Sequence, residues 1–148
     1  MVSRTGNVRL TNYGLAPLYA NPSLTVLLPN TGSERWLGPE VIDPRPSTGM
    51  VTESKPADVF AFAMLAIEVF SVQLPFVGYS DAEAARLISN GSRPDRPQNA
   101  QDVGLTDEVW ELLKKCWHQR PTQRPTVDRV CEELLGDNRC VQKIFLGW

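Results

Sequence analysis

The sequence predicts a mainly α fold. Four segments repeat their apolar residues at helical spacing, one of these is apolar on every side, and only one short stretch has strand character. At 148 residues the chain fits one domain, and its 42% apolar and 22% charged content is that of an ordinary folded protein. A net charge of −2 with no run of five like charges argues against nucleic-acid binding through a basic face.

The elements follow in order. Val8, Leu10 and Tyr13 form a short extended stretch that ends at Gly14 and reads as one strand or half a hairpin. From Ala16 to Pro39 the chain is rich in Pro, Asn, Gly, Ser and Thr without a period, which predicts a long loop; loops of that length in compact domains are usually functional. A second punctuated stretch, Asp43 to Ser54, carries Pro44, Pro46 and Gly49. Lys55 to Ser71 is then helical and apolar all round, with Val59, Phe60, Phe62, Met64, Leu65, Ile67, Val69 and Phe70, so it is expected to be buried among other helices.

Ser80-Asp81-Ala82-Glu83 is a capping box opening a helix whose inward face is Ala84, Leu87 and Ile88 and whose stop is Gly91. Thr106 caps the next helix, with Asp107 and Glu108 favourable in its first turn and Val109, Trp110, Leu113, Cys116 and Trp117 at helical spacing before Pro121. The last clear helix starts near Thr126, places Val127, Val130, Cys131, Leu134 and Leu135 at i, i+3, i+4, i+7 and i+8, and ends at Gly136. The segment 137–148, with Ile144, Phe145, Leu146 and Trp148, has no assigned role.

Cys116, Cys131 and Cys140 make no Cys-x-x-Cys pair, which suits a reduced intracellular setting. The lone His118 reads as a helix-end residue without metal-ligand partners. Met1 to Thr11 lacks the apolar core of a signal peptide, and the longest apolar stretch, Val59 to Val69, is broken by Glu68 and too short to span a bilayer. A soluble, cytoplasmic protein is expected.

The order of motifs resembles the C-lobe of a eukaryotic protein kinase, from the Asp-Phe-Gly position onward. Asn7-Val8-Arg9-Leu10-Thr11-Asn12-Tyr13-Gly14-Leu15-Ala16 is similar to the strand leading into Asp-Phe-Gly-Leu-Ala. Arg35-Trp36-Leu37-Gly38-Pro39-Glu40 is similar to the Arg-Trp-x-Ala-Pro-Glu that closes the activation segment. Asp58-Val59-Phe60-Ala61-Phe62-Ala63 is similar to Asp-Val-Trp-Ser-Phe-Gly, and Cys116-Trp117, Pro121 and Arg124-Pro125-Thr126 resemble Cys-Trp-x-x-x-Pro-x-x-Arg-Pro-Thr. The Arg-Trp and Cys-Trp flavours look most like tyrosine kinases and the tyrosine-kinase-like group. Residues 1–136 are thus expected to be a partial kinase-like domain and 137–148 a tail.

The resemblance implies roles for particular residues. The Asp-Phe-Gly aspartate holds Mg²⁺ against ATP; Asn12 stands there and brings no negative charge, and an ordinary turn at Asn12, with Gly14 two residues on supplying backbone freedom, is the favoured reading. Tyr19, Ser23, Thr25, Thr31 and Ser33 become candidate phosphosites in an activation segment, although any loop carries hydroxyls. Glu40 is expected to pair with Arg124 in a structural role. Asp58 loses its customary partner, because no His-Arg-Asp occurs, and must find water or leave its end of the helix exposed; Trp117 is expected to be structural.

No Gly-x-Gly-x-x-Gly, Val-Ala-x-Lys-like strand or His-Arg-Asp is present. The resemblance therefore implies a truncated product or an incompletely read gene. Such a chain is inactive alone and needs no cofactor, although the intact family uses ATP and Mg²⁺. The expected partners are a protein substrate or partner and the missing N-terminal half of a kinase domain, with no membrane or nucleic acid. A pseudokinase-type scaffold is the alternative. Poor folding of the isolated chain, with exposed apolar surface, is a third expectation.

Overall fold

The computed structural model describes residues 34–44, 54–98 and 100–136. All lie in one compact unit, Ser33–Trp148. Among them are five α-helices and no strand: α1 Pro39–Ile42, α2 Lys55–Ser71, α3 Asp81–Ser89, α4 Asp107–Cys116 and α5 Val127–Gly136, with 3₁₀ turns at Glu34–Trp36, Ala100–Val103 and Pro121–Gln123. The expected strand over Val8 to Tyr13 lies outside the described residues. The one helix beyond the expected four is α1, a single turn that Pro39 opens at its first position, where a missing N–H leaves nothing unpaired.

The core forms where α2 meets α4 and the three 3₁₀ turns. Val59, Phe60, Ala63, Met64 and Ile67 give α2 one buried face, against which Ile88, Leu105, Leu113 and Cys116 are fully enclosed. The expectation that α2 is buried all round is corrected on its other face, where Leu65 is 50% and Val69 62% exposed. Composition makes every side of this helix able to be buried, but only an adjacent element can cover it, and among the described residues none covers that side. Asp58 sits in the first turn of α2, exposed to water, where its charge complements the positive end of the helix.

The caps explain where the helices begin and end. Ser80 Oγ accepts from the Glu83 N–H at 3.3 Å while Glu83 Oε2 accepts from the Ser80 N–H at 2.9 Å, a reciprocal closure of the first turn of α3. At the other end the Ser92 N–H reaches Leu87 O at 2.9 Å and the Gly91 N–H reaches Ile88 O at 3.0 Å. That double bond needs the left-handed φ of 89° at Gly91. Thr106 Oγ1 accepts from the Val109 N–H at 3.3 Å to open α4. In the first turn of α4, Asp107 Oδ1 accepts from Arg96 Nη1 at 2.6 Å and from Gln101 Nε2 at 3.2 Å.

The loop after α2 is strained. Val72 ends the helix with φ at 55°, and Phe76 has φ at 57°. A left-handed conformation costs an L-residue ~1–2 kcal/mol, and branching at Cβ makes Val a poor choice for it. Val72 is 89% exposed, so side-chain packing does not offset that cost. Val72→Gly is therefore expected to raise stability by up to ~1 kcal/mol, read as a higher urea midpoint with unchanged m-value.

The hydrogen bond from Arg96 and then its positive charge hold the Asp107 carboxyl below its ordinary value, against the opposing effect of burial and with a lesser contribution from the Gln101 bond. A depressed folded-state pKa contributes stability above the unfolded value, and that stability is lost as pH falls through the folded value. Melting curves of Asp107→Asn should thus show a smaller fall in Tm than the native chain on acidification below about pH 4.

Candidate functional site

The most heavily constrained site is built around two arginines and one phenylalanine. Arg124 follows the Pro121–Gln123 turn, and its N–H bonds back to Pro121 O at 3.1 Å, which fixes the direction of its side chain. Nη1 and Nη2 each donate to one carboxylate oxygen of Glu40 at 2.7 Å, a bidentate pair. Nη1 also donates to Pro56 O at 2.8 Å and Nε to His118 O at 2.9 Å. The Arg124 side chain is fully buried and that of Glu40 is 10% exposed. One guanidinium thereby joins the start of α1, the first turn of α2 and the segment leading out of α4.

Phe60 lies beneath this pair. The Arg124 guanidinium stands 5.0 Å from the centre of its ring, and the Arg93 guanidinium stands at 5.0 Å as well. Arg93 donates from Nε to Trp117 O at 2.9 Å, from Nη1 to Ile88 O at 3.2 Å and Ser92 O at 2.7 Å, and from Nη2 to Gln119 Oε1 at 2.7 Å. It ties the C-terminal ends of α3 and α4 together by satisfying carbonyls that a helix end leaves open. Burial, and then the neighbouring charge of Arg124, pull the Arg93 pKa down to about 10, with Glu40 acting in the opposite sense.

Gly38 allows the close approach of Glu40. A Cβ at Gly38 would lie 2.7 Å from either carboxylate oxygen, although the backbone there, φ −67° and ψ 152°, suits any residue. Beside it an open groove of about 560 Å³ is lined by Trp36, Leu37, Gly38, Val41, Lys55 and Asp58, among others. Trp36 is oriented by its Nε1–H, which donates to Glu68 Oε2 at 3.1 Å.

Arg35 holds the strained loop. Its Nε donates to Asp81 Oδ1 at 2.5 Å, its Nη1 to Pro75 O at 2.7 Å and Phe76 O at 3.0 Å, and its Nη2 to Tyr79 O. A buried guanidinium bonded to three carbonyls of one loop keeps that loop in its left-handed turns and seats α3 on the Glu34–Trp36 turn.

The sequence-derived residues distribute as follows. Glu40 and Arg124 are in contact. Trp117 is buried edge-on to Trp110, centroids 5.4 Å apart, and Asp58 is exposed at the groove. Asn12, Gly14, Tyr19, Ser23, Thr25, Thr31 and Ser33 lie outside the described residues. Arg35 and Arg93 are bracing arginines to which the sequence alone assigns no such role: Arg35 stands there only within a motif, and nothing local marks Arg93, since most of its partners are carbonyls of residues brought near by folding. The exposed His118 ring accepts from the Arg120 N–H at 3.1 Å, closing a local turn.

Residues 1–134 match the family model for protein tyrosine and serine/threonine kinases. The chain belongs to that kinase family. It is similar to the Arabidopsis thaliana serine/threonine-protein kinase STY17, 30% identical over 128 residues that make up 86% of this chain and 20% of that protein. Fibroblast growth factor receptor 1 of Xenopus laevis is 33% identical over 101 residues, 68% of this chain and 11% of the receptor. The serine/threonine/tyrosine-protein kinase HT1 of Arabidopsis thaliana is 30% identical over 115 residues, 77% of this chain and 27% of that kinase. The chain thus spans well under a third of the length of each of these relatives.

Among the described residues of this kinase-family chain, no helix is long and apolar enough to cross a membrane. Removal of one partner from the Glu40–Arg124 pair strands the other in a dry site, so Arg124→Ala and Glu40→Ala should each lower stability by ~3–5 kcal/mol. Urea unfolding of the double variant should show a loss well short of the sum, the mark of direct coupling; strictly additive losses would contradict the pairing.

Proposed function

We propose that this chain serves as the helical, protein-binding half of a kinase domain and does not transfer phosphate by itself. The supporting observation is the Glu40–Arg124 pair. It holds the Trp36–Ile42 segment rigidly against α2 and keeps open the groove at Lys55 and Asp58. A concave surface on braced helices suits a polypeptide substrate or partner. Phosphoryl transfer in the family needs a Gly-rich loop, a strand lysine, a catalytic aspartate and an asparagine on the metal. The first two have no counterpart in the 148 residues, and no His-Arg-Asp supplies the third.

The donor that the sequence offers at the metal position suits Mg²⁺-ATP poorly: it is the uncharged Asn12, which lies outside the described residues. ATP-dependent phosphorylation of Ser, Thr or Tyr on a protein is accordingly proposed only for a protein that joins these residues to the nucleotide-binding parts. Asn12 also favours a second reading, a pseudokinase-type scaffold, because a neutral amide weakens the metal site even in that longer context.

With Mg²⁺ and ATP at millimolar concentration, the purified chain is expected to show no shift in Tm and no transfer of labelled γ-phosphate to itself or to a generic protein substrate. Magnesium-dependent turnover that disappears in Asn12→Ala would overturn the proposal.

A further inference from the structure

We draw no further inference here: the strongest candidate, the surface patch of exposed Val72, Leu74, Val77 and Tyr79 on the Arg35-held loop between α2 and α3, carries nothing, because nothing among the described residues shows what covers it.

Discussion

Arg124 is the side chain on which the arrangement depends. A buried guanidinium is tolerated only when its donors are met, and four of its five N–H groups find oxygen atoms on Glu40, Pro56 and His118. Those acceptors come from three parts of the chain far apart in sequence, so satisfying one residue fixes the mutual position of α1, α2 and the turn before α5. The carboxylate neutralises the charge and the Phe60 ring supports it from below. Any shift of one of these elements leaves a buried charge without its partner.

Arg35 and Arg93 repeat the device on a smaller scale. Each is bonded mainly to backbone carbonyls: Arg35 to the left-handed loop after α2, Arg93 to the ends of α3 and α4. The strain at Val72 and Phe76 persists because Arg35 binds the loop in that shape. The Trp36–Ile42 segment is therefore held from two sides, by Arg35 on the loop and by Glu40 on Arg124. The groove beside it owes its form to both.

The exposed side of α2 belongs to the same account. Leu65 and Val69 are apolar yet half or more in water, while the opposite face is dry. Membership of the kinase family makes the composition of this helix intelligible as that of a central element. The described residues supply a cover for one side of it.

Helix positions were legible in the sequence because they rest on local chemistry. Ser80 with Glu83, Gly91 and Thr106 mark ends through bonds that span a few residues, and apolar spacing marks the inward faces. The Glu40–Arg124 pairing was legible only through the order of motifs, since no periodicity links positions so far apart. The part that tertiary structure alone decided is long-range: which side of α2 is covered among the described residues, and that Arg93 and Arg124 flank one ring. Burial and guanidinium satisfaction depend on what other segments bring near, and a one-dimensional pattern carries no record of that.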